Sequence, residues 1–387
     1  MKTEVYDTNL DWEKNQSQTI DLLRFPMIIC VIFIHMVPNT TSLLNADFPL
    51  LSSHGIYNLI EITFSHMAER IAVPIFFFFS GYLFFANFKT WSWNLYHKKI
   101  KSRVKTLFIP YILWNIIPIL LSCISFFIIN KTTPDILSYI RQISLKNMIG
   151  EYTYDGTNIL GLPIYTYYPQ NFPLWFLRDL IVVSALTRII YYLIKKMKMT
   201  IVTIFAIGFI LNICIPIPGL SFTALCFFSL GAYFAIFGKN FVYFSRKHIK
   251  ISAPISLTTL IFGIYFGGNS DTIGNIICSF YIIFTIFTTF ALFSYIIERF
   301  QIKPCPILTR SCFFIYATHV IGILILETPL SFSSKLLSRY IIGSETYWQQ
   351  CASYFFTPFL TAGICLLCYY LLNRFAPKLC GVLCGNR

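Results

Sequence analysis

The sequence predicts an all-α, polytopic integral membrane bundle of about ten transmembrane helices, with the amino and carboxyl termini both cytoplasmic. Three observations carry that prediction. Of the 387 residues, 56% are hydrophobic and only 12% charged, about half the charged share of an ordinary soluble domain. Apolar runs such as Ile181–Ile194, Ile201–Ile215, Ile277–Ile297 and Phe355–Leu372 recur along the whole length, which a soluble protein with one anchor would not show. Lys and Arg gather between alternate runs, as they do when cytoplasmic loops retain positive charge.

Spanning segments fall near 20–37, 71–86, 106–129, 174–193, 200–216, 221–237, 250–267, 274–296, 306–328 and 352–373, forming a single membrane domain over 1–387. The first follows nineteen polar residues that include Glu4, Asp7, Asp11 and Glu13, unlike the basic start of a cleavable signal peptide, so it is expected to be retained. The second carries Phe76–Phe79, and the third follows the basic cluster Lys98, Lys99, Lys101, Arg103 and Lys105. The fourth begins at Phe172-Pro-Leu-Trp175. The next four alternate with the inner clusters Lys195–Lys198 and Arg246–Lys250, and the last two flank a segment holding Lys335 and Arg339. With the amino terminus inside, 22 of the 30 Lys and Arg lie in inner segments and six in outer ones; Arg24 and Arg178 fall inside helices. Adding or removing one helix would reverse every later loop and mix the basic clusters across both sides. The net charge of +14 is therefore explained by topology, and nucleic acid is not an expected partner.

Two outer segments are long, 38–70 and 130–173, and the second ends in Tyr165-Thr-Tyr-Tyr-Pro-Gln-Asn-Phe-Pro173. Hydroxylated aromatic rings at that position suit stacking on sugars, but they also form the usual interfacial belt, which is the favoured reading. The twelve cysteines are mostly small apolar filling inside the runs. Cys365-Leu-Leu-Cys368 has zinc-like spacing with no second ligand pair nearby, so no metal site is expected.

Arg24 and His35 stand eleven positions apart in the first run. On an α-helix that spacing leaves them within roughly 20° of one face and about 16 Å apart along the axis. Ionisable groups in hydrocarbon cost a few kcal/mol at least and normally face a cavity, a partner or a pathway. Arginine keeps its charge and holds phosphate or carboxylate with a planar fork; histidine can take a proton from a hydroxyl near neutral pH. Alternatively, Arg24 snorkels to inner headgroups and His35 caps the outer interface. Three further clusters supply candidates. Glu69 and Arg70 precede Ser80-Gly-Tyr82, where the small residues also suit close helix packing. Trp175 precedes Arg178 and Asp179, neighbours about 100° apart on a helix and so not a simple pair on one face. His319, in the ninth segment, is either a helix-to-helix hydrogen-bonding group or part of a site; His54, His66, His97 and His248 fall in loops and are expected to be solvated.

Taken together, Arg24 and His35 within Ile20-Asp-Leu-Leu-Arg24, Val73-Pro-Ile-Phe-Phe-Phe-Phe-Ser-Gly-Tyr82, Pro173-Leu-Trp-Phe-Leu177 and Tyr316-Ala-Thr-His319 resemble the acyltransferase 3 family of integral membrane acyltransferases. The resemblance covers nearly the whole chain. It implies a ten-helix enzyme of the bacterial cytoplasmic membrane. Such an enzyme takes an acyl group, most often acetyl, from acyl-coenzyme A (acyl-CoA) on the cytoplasmic side and delivers it to a sugar hydroxyl on the far side. His35 would be the general base. Arg24, helped by Lys98, Lys99, Lys101 and Arg103, would hold the donor phosphates, although the lysines are also what positive-inside topology requires. Arg70 or Arg178 would stabilise the oxyanion, with Ser80, Tyr82, Trp175 and His319 as further substrate-site candidates. Some members carry an extra helix and a periplasmic domain, so this chain resembles the stand-alone type. The expected partners are the bilayer, acetyl-CoA or another acyl-CoA as donor co-substrate, and a glycan acceptor. A membrane glycan polymerase or ligase would share the outer Arg and His residues without needing Arg24 in register below His35. An anion transporter would more often show internal repeats with broken helices, and the sequence shows no such symmetry.

Overall fold

The computed structural model describes residues 8–36, 52–86, 88, 91–130, 148–267, 272–322 and 327–386. Lys2, Lys89, Lys131, Arg141, Lys146 and Arg387, which enter the charge count, lie outside them. The described chain is a helical bundle with one two-stranded hairpin, so the all-α expectation holds apart from that hairpin. Helix α1 (Thr8–Ile34) is followed by α2 (Ser53–Ile62), which runs through a π turn (Thr63–Met67) and a 3₁₀ turn (Ala68–Ile71) into α3 (Ala72–Phe85). Helix α4 (Trp93–Arg103) continues through a second π turn (Val104–Phe108) into α5 (Ile109–Asn130). Strands β1 (Glu151–Thr157) and β2 (Pro163–Tyr168) pair antiparallel, with Glu151 opposite Tyr168.

Four short helices come next: α6 (Trp175–Ala185), α7 (Thr187–Met197), α8 (Met199–Ile210) and α9 (Phe222–Ile236). Helix α9 bends by 102° into α10 (Phe241–Lys247), and Gly238 at the bend has φ +61°, a conformation that suits glycine. The remainder is α11 (Ile249–Phe266), α12 (Thr272–Phe300), α13 (Pro306–Thr318), α14 (Pro329–Leu336), α15 (Tyr347–Phe375) and α16 (Pro377–Leu383).

Each of the ten expected spans contains helix, but among the described residues only six helical stretches are long and apolar enough to cross a membrane, or seven if the bent pair counts as one. The difference lies in breaks. The fourth segment divides at Leu186 into α6 and α7, and the ninth ends at Thr318. Two expected boundaries are corrected. Residues 53–70, expected in an outer loop, are helical and fuse with α3 into one stretch, Ser53–Phe85. The lysine cluster rides on α4, which fuses with α5. His54, His66 and His97 consequently sit on helical turns, and His248 caps α10. His54 stacks on Tyr347 at 4.7 Å, and the buried Nε2 of His66 has no hydrogen-bond partner in the described structure.

Helix α1 is the hub, because polar groups along its length tie it to its neighbours. Gln16 donates to the Tyr82 hydroxyl at 2.6 Å and accepts from the Phe241 amide at 2.8 Å. Asn15 donates to the Ser294 carbonyl at 3.3 Å, and Ser65 to the Phe33 carbonyl at 2.8 Å. Around it the fully buried rings of Phe78, Phe241 and Phe290 pack with centroids 4.8–5.1 Å apart. Glycine sets the closest helix approach: a Cβ on Gly81 of α3 would stand 2.0 Å from the Phe228 carbonyl oxygen, and one on Gly231 of α9 would stand 2.0 Å from that of Phe78. Small residues allow backbones to meet in this way.

Candidate active site

Helices α1 and α13 lie side by side, with Thr309 Oγ1 3.5 Å from the Asp21 carbonyl oxygen. Each carries an arginine and, further along, a histidine just past or capping its end. Arg24 and Arg310 meet in one cavity, and the His35 and His319 rings pack with centroids 5.0 Å apart. The chains therefore run parallel from the arginine end to the histidine end. Helical rise separates the two ends by about 16 Å on α1 and about 13 Å on α13.

The arginine cavity encloses ≈ 410 Å³. Arg24, Arg103 and Arg310 line it together with Phe76, Phe79, Phe176, Phe313, Tyr316 and Ser80. Arg24 pairs with Asp21 at 3.3 Å, and Arg103 donates to the Ser80 carbonyl at 3.3 Å. Three guanidinium groups beside aromatic walls suit a ligand with an anionic head and a long, weakly polar arm. Arg103 thus shares the cavity with Arg24. Lys98 and Lys101 remain exposed on α4, and Lys99 reaches the Leu83 carbonyl at 3.2 Å. Arg310 was missed from the sequence: it stands nine residues before His319, a spacing that does not put the two on one helical face, unlike that of Arg24 and His35.

The histidine cavity encloses ≈ 420 Å³. His35 lies just past the end of α1, its amide bonded to the Ile32 carbonyl at 3.1 Å. The walls carry nine hydroxyl side chains from serine, threonine and tyrosine, together with Gln350 and Glu61 and neither Lys nor Arg. Glu61 is buried and accepts a hydrogen bond from Tyr57. Both stand on α2, in the stretch expected to be loop, which is why the sequence reading passed over them; their i, i+4 spacing was the available signal.

His319 is not in mid-helix. It caps α13 and is fully buried. Its Nδ1 lies 3.1 Å from the Ile315 carbonyl oxygen, which assigns the proton to Nδ1 and leaves Nε2 as an acceptor. That Nε2 has no hydrogen-bond partner in the described structure. Its carbonyl accepts from the Leu330 amide at 3.1 Å, drawing α14 over the histidine cavity. One helical turn earlier, Tyr316 lines the arginine cavity and donates to the Pro173 carbonyl. Phe172, on the other side, packs edge-on to His35 at 5.3 Å. The two cavities therefore approach each other across Tyr316, Phe176 and Phe172.

The remaining candidates lie elsewhere. Arg70 and Arg178 line a third cavity, beside the hairpin, together with Trp175; the structure does not bring them to His35. Arg178 and Asp179, expected not to be a simple pair on one face, do pair at 2.9 Å. The rest of Arg178 donates to the Ile149 and Tyr167 carbonyls at 2.6 and 2.9 Å and pins the hairpin to α6. Tyr82 is held by Gln16. The Ser80 hydroxyl has no partner in the described structure, and it opens on the arginine cavity, away from the histidines. Among the described residues no group of three or more His, Cys, Asp or Glu is placed to hold a metal ion.

Over 407 aligned residues the chain is 24% identical to the succinoglycan biosynthesis protein ExoH of Rhizobium meliloti (strain 1021), covering 97% of this chain and 94% of that protein. No solved structure matches it. The sequence profile of the acyltransferase 3 family, described as an acyltransferase domain, matches residues 17–373, a span that takes in both arginine and histidine pairs. The chain belongs to that family of acyltransferases.

Proposed function

We propose that this protein is an O-acyltransferase moving an acyl group, acetyl foremost, from cytoplasmic acyl-CoA to a hydroxyl of a cell-surface or lipid-linked glycan. The observation that carries the reading is the parallel pair α1 and α13, with three arginines around an aromatic cavity at one end and, at the other, His35 on a hydroxyl-lined cavity with the His319 ring packed against it. The donor's nucleotide phosphates fit the arginine end, and its pantetheine arm is about as long as the 16 Å rise from Arg24 to His35. His35 takes the proton of the acceptor hydroxyl as its oxygen attacks the thioester carbonyl. The carbon–sulfur bond breaks, and the coenzyme A thiolate leaves and recovers the proton. His319, whose ring packs on that of His35 at 5.0 Å, holds the His35 ring in place. The family match supports acyl transfer over glycan polymerisation or anion transport. The part ExoH takes in succinoglycan biosynthesis supports a glycan acceptor.

The loop charges support an orientation with Arg24 on the cytoplasmic side and ten crossings with both termini inside, and the family match supports a bacterial inner membrane. Some of those crossings are made by broken or short helices. Membranes holding the protein, given labelled acetyl-CoA and a lipid-linked glycan, test the reading. Transfer is expected with the wild type, is lost with His35→Ala, and needs more donor with Arg24→Ala. Undiminished transfer by His35→Ala would overturn the mechanism.

A further inference from the structure

A cavity of ≈ 670 Å³ beside the hairpin takes no part in the chemistry proposed above. It is built and held. Arg178 fastens β2 and the segment before β1 to α6, Ser221 donates to Asp179 at 2.8 Å, and Asn158 reaches the Asn212 carbonyl at 3.4 Å. Its walls combine the tyrosines of β2 and Trp175 with Asn212, Asn275 and Ser279. An interfacial belt turns its rings toward lipid; here the rings share a cavity with amides and hydroxyls, the combination that recognises a sugar's apolar face and its hydroxyl rim.

Aromatic rings connect this cavity to the histidines. Tyr168, on its wall, packs on Phe172 at 4.4 Å, and Phe172 packs on His35 at 5.3 Å. Tyr168 and Phe172 remain 45% and 41% exposed, so their faces are available to a ligand lying across them. Charge limits what that ligand is. Arg70 and Arg178 on the walls are matched by Asp155 and Asp179, Arg178 is committed to Asp179 and two carbonyls, and the histidine cavity holds neither Lys nor Arg.

We infer that the hairpin cavity is a second glycan subsite, which binds the uncharged sugar next to the one acylated at His35, so that the acceptor is a chain of at least two neutral sugars. This rests on the reading that His35 acts on a glycan hydroxyl. The bridge between the subsites is the Tyr168–Phe172 platform.

The test uses the full-length protein in nanodiscs, labelled acetyl-CoA, and size-fractionated fragments of the host's own de-acylated surface glycan. Stacking worth 0.5–1.5 kcal/mol converts to about tenfold at its upper end. The acceptor KM of the wild type is therefore expected to fall about tenfold from single sugars to disaccharides and longer fragments. Tyr168→Ala is expected to remove that length dependence, and Tyr168→Phe, which keeps the ring, to restore it. An acceptor KM independent of length in the wild type, or one raised equally for all fragments by Tyr168→Ala and not rescued by Tyr168→Phe, would overturn the subsite. Competition by uronic-acid oligosaccharides as strong as by neutral ones would overturn the uncharged class. Quenching of tryptophan fluorescence by the same fragments reads binding separately. Length-dependent quenching without acetyl transfer supports the subsite and counts against the acyl-transfer reading, whereas loss of both overturns both.

Discussion

The arginine cavity and the histidine cavity are almost equal in volume, ≈ 410 and ≈ 420 Å³, yet opposite in lining. One sets three guanidinium groups against aromatic and aliphatic side chains; the other sets the His35 imidazole, backed by the His319 ring, on a hydroxyl-rich space lined by neither Lys nor Arg. Fixed charge without a titrating base suits holding an anionic donor, and a titrating base without fixed positive charge suits activating a neutral hydroxyl. Two helices carrying the same arginine-then-histidine order therefore separate recognition from chemistry by about three helical turns.

Substitutions at the two ends should differ in kind as well as in size. The largest effect is expected at His35. His35→Ala removes the general base and should lower kcat about a thousandfold, leaving the donor KM near that of the wild type in a steady-state transfer assay. A donor KM that rises in step with the loss of kcat would merge the two regions. Next comes His319: His319→Ala should lower kcat about a hundredfold, and His319→Gln, which can still offer an acceptor, should recover part of that loss. Failure of both variants to change kcat would reduce His319 to packing. At the other end, Arg24→Ala and Arg310→Ala should each raise the donor KM about tenfold, the equivalent of one charge-assisted hydrogen bond, and the rise should grow when salt is lowered. Smallest on activity is Gly231→Ala. The added Cβ meets the Phe78 carbonyl, so it should destabilise the bundle by about 1–3 kcal/mol, measured as a lower Tm, with little change in either KM at permissive temperature.

Much of this contrast was legible in the sequence. Apolar runs located helix in all ten segments, and the Arg24-to-His35 spacing picked out two residues of the first segment that line separate cavities. What stayed hidden depends on breaks and on neighbours. Hydropathy does not register the ends of α6 and α13, because residues beyond a helix break can remain apolar. The polar content of 53–70 reads as loop, although Asn58, Glu61, Ser65 and Glu69 are buried against the bundle. The hairpin's tyrosines gave no alternation clear enough to separate strand from interfacial loop. Arg310 became visible only when α13 was laid beside α1. Arg178 looked like a site residue because it is a buried charge, but three quite ordinary acceptors, Asp179 and two backbone carbonyls, occupy it.

The division of labour between the ends is tested most directly by equilibrium binding of labelled acetyl-CoA to the purified protein in nanodiscs, compared across His35→Ala, Arg24→Ala and Arg310→Ala. The account predicts that His35→Ala, though inactive in transfer, binds donor as the wild type does, and that each arginine variant binds about tenfold more weakly. Weakened binding by His35→Ala together with unchanged binding by both arginine variants would contradict it.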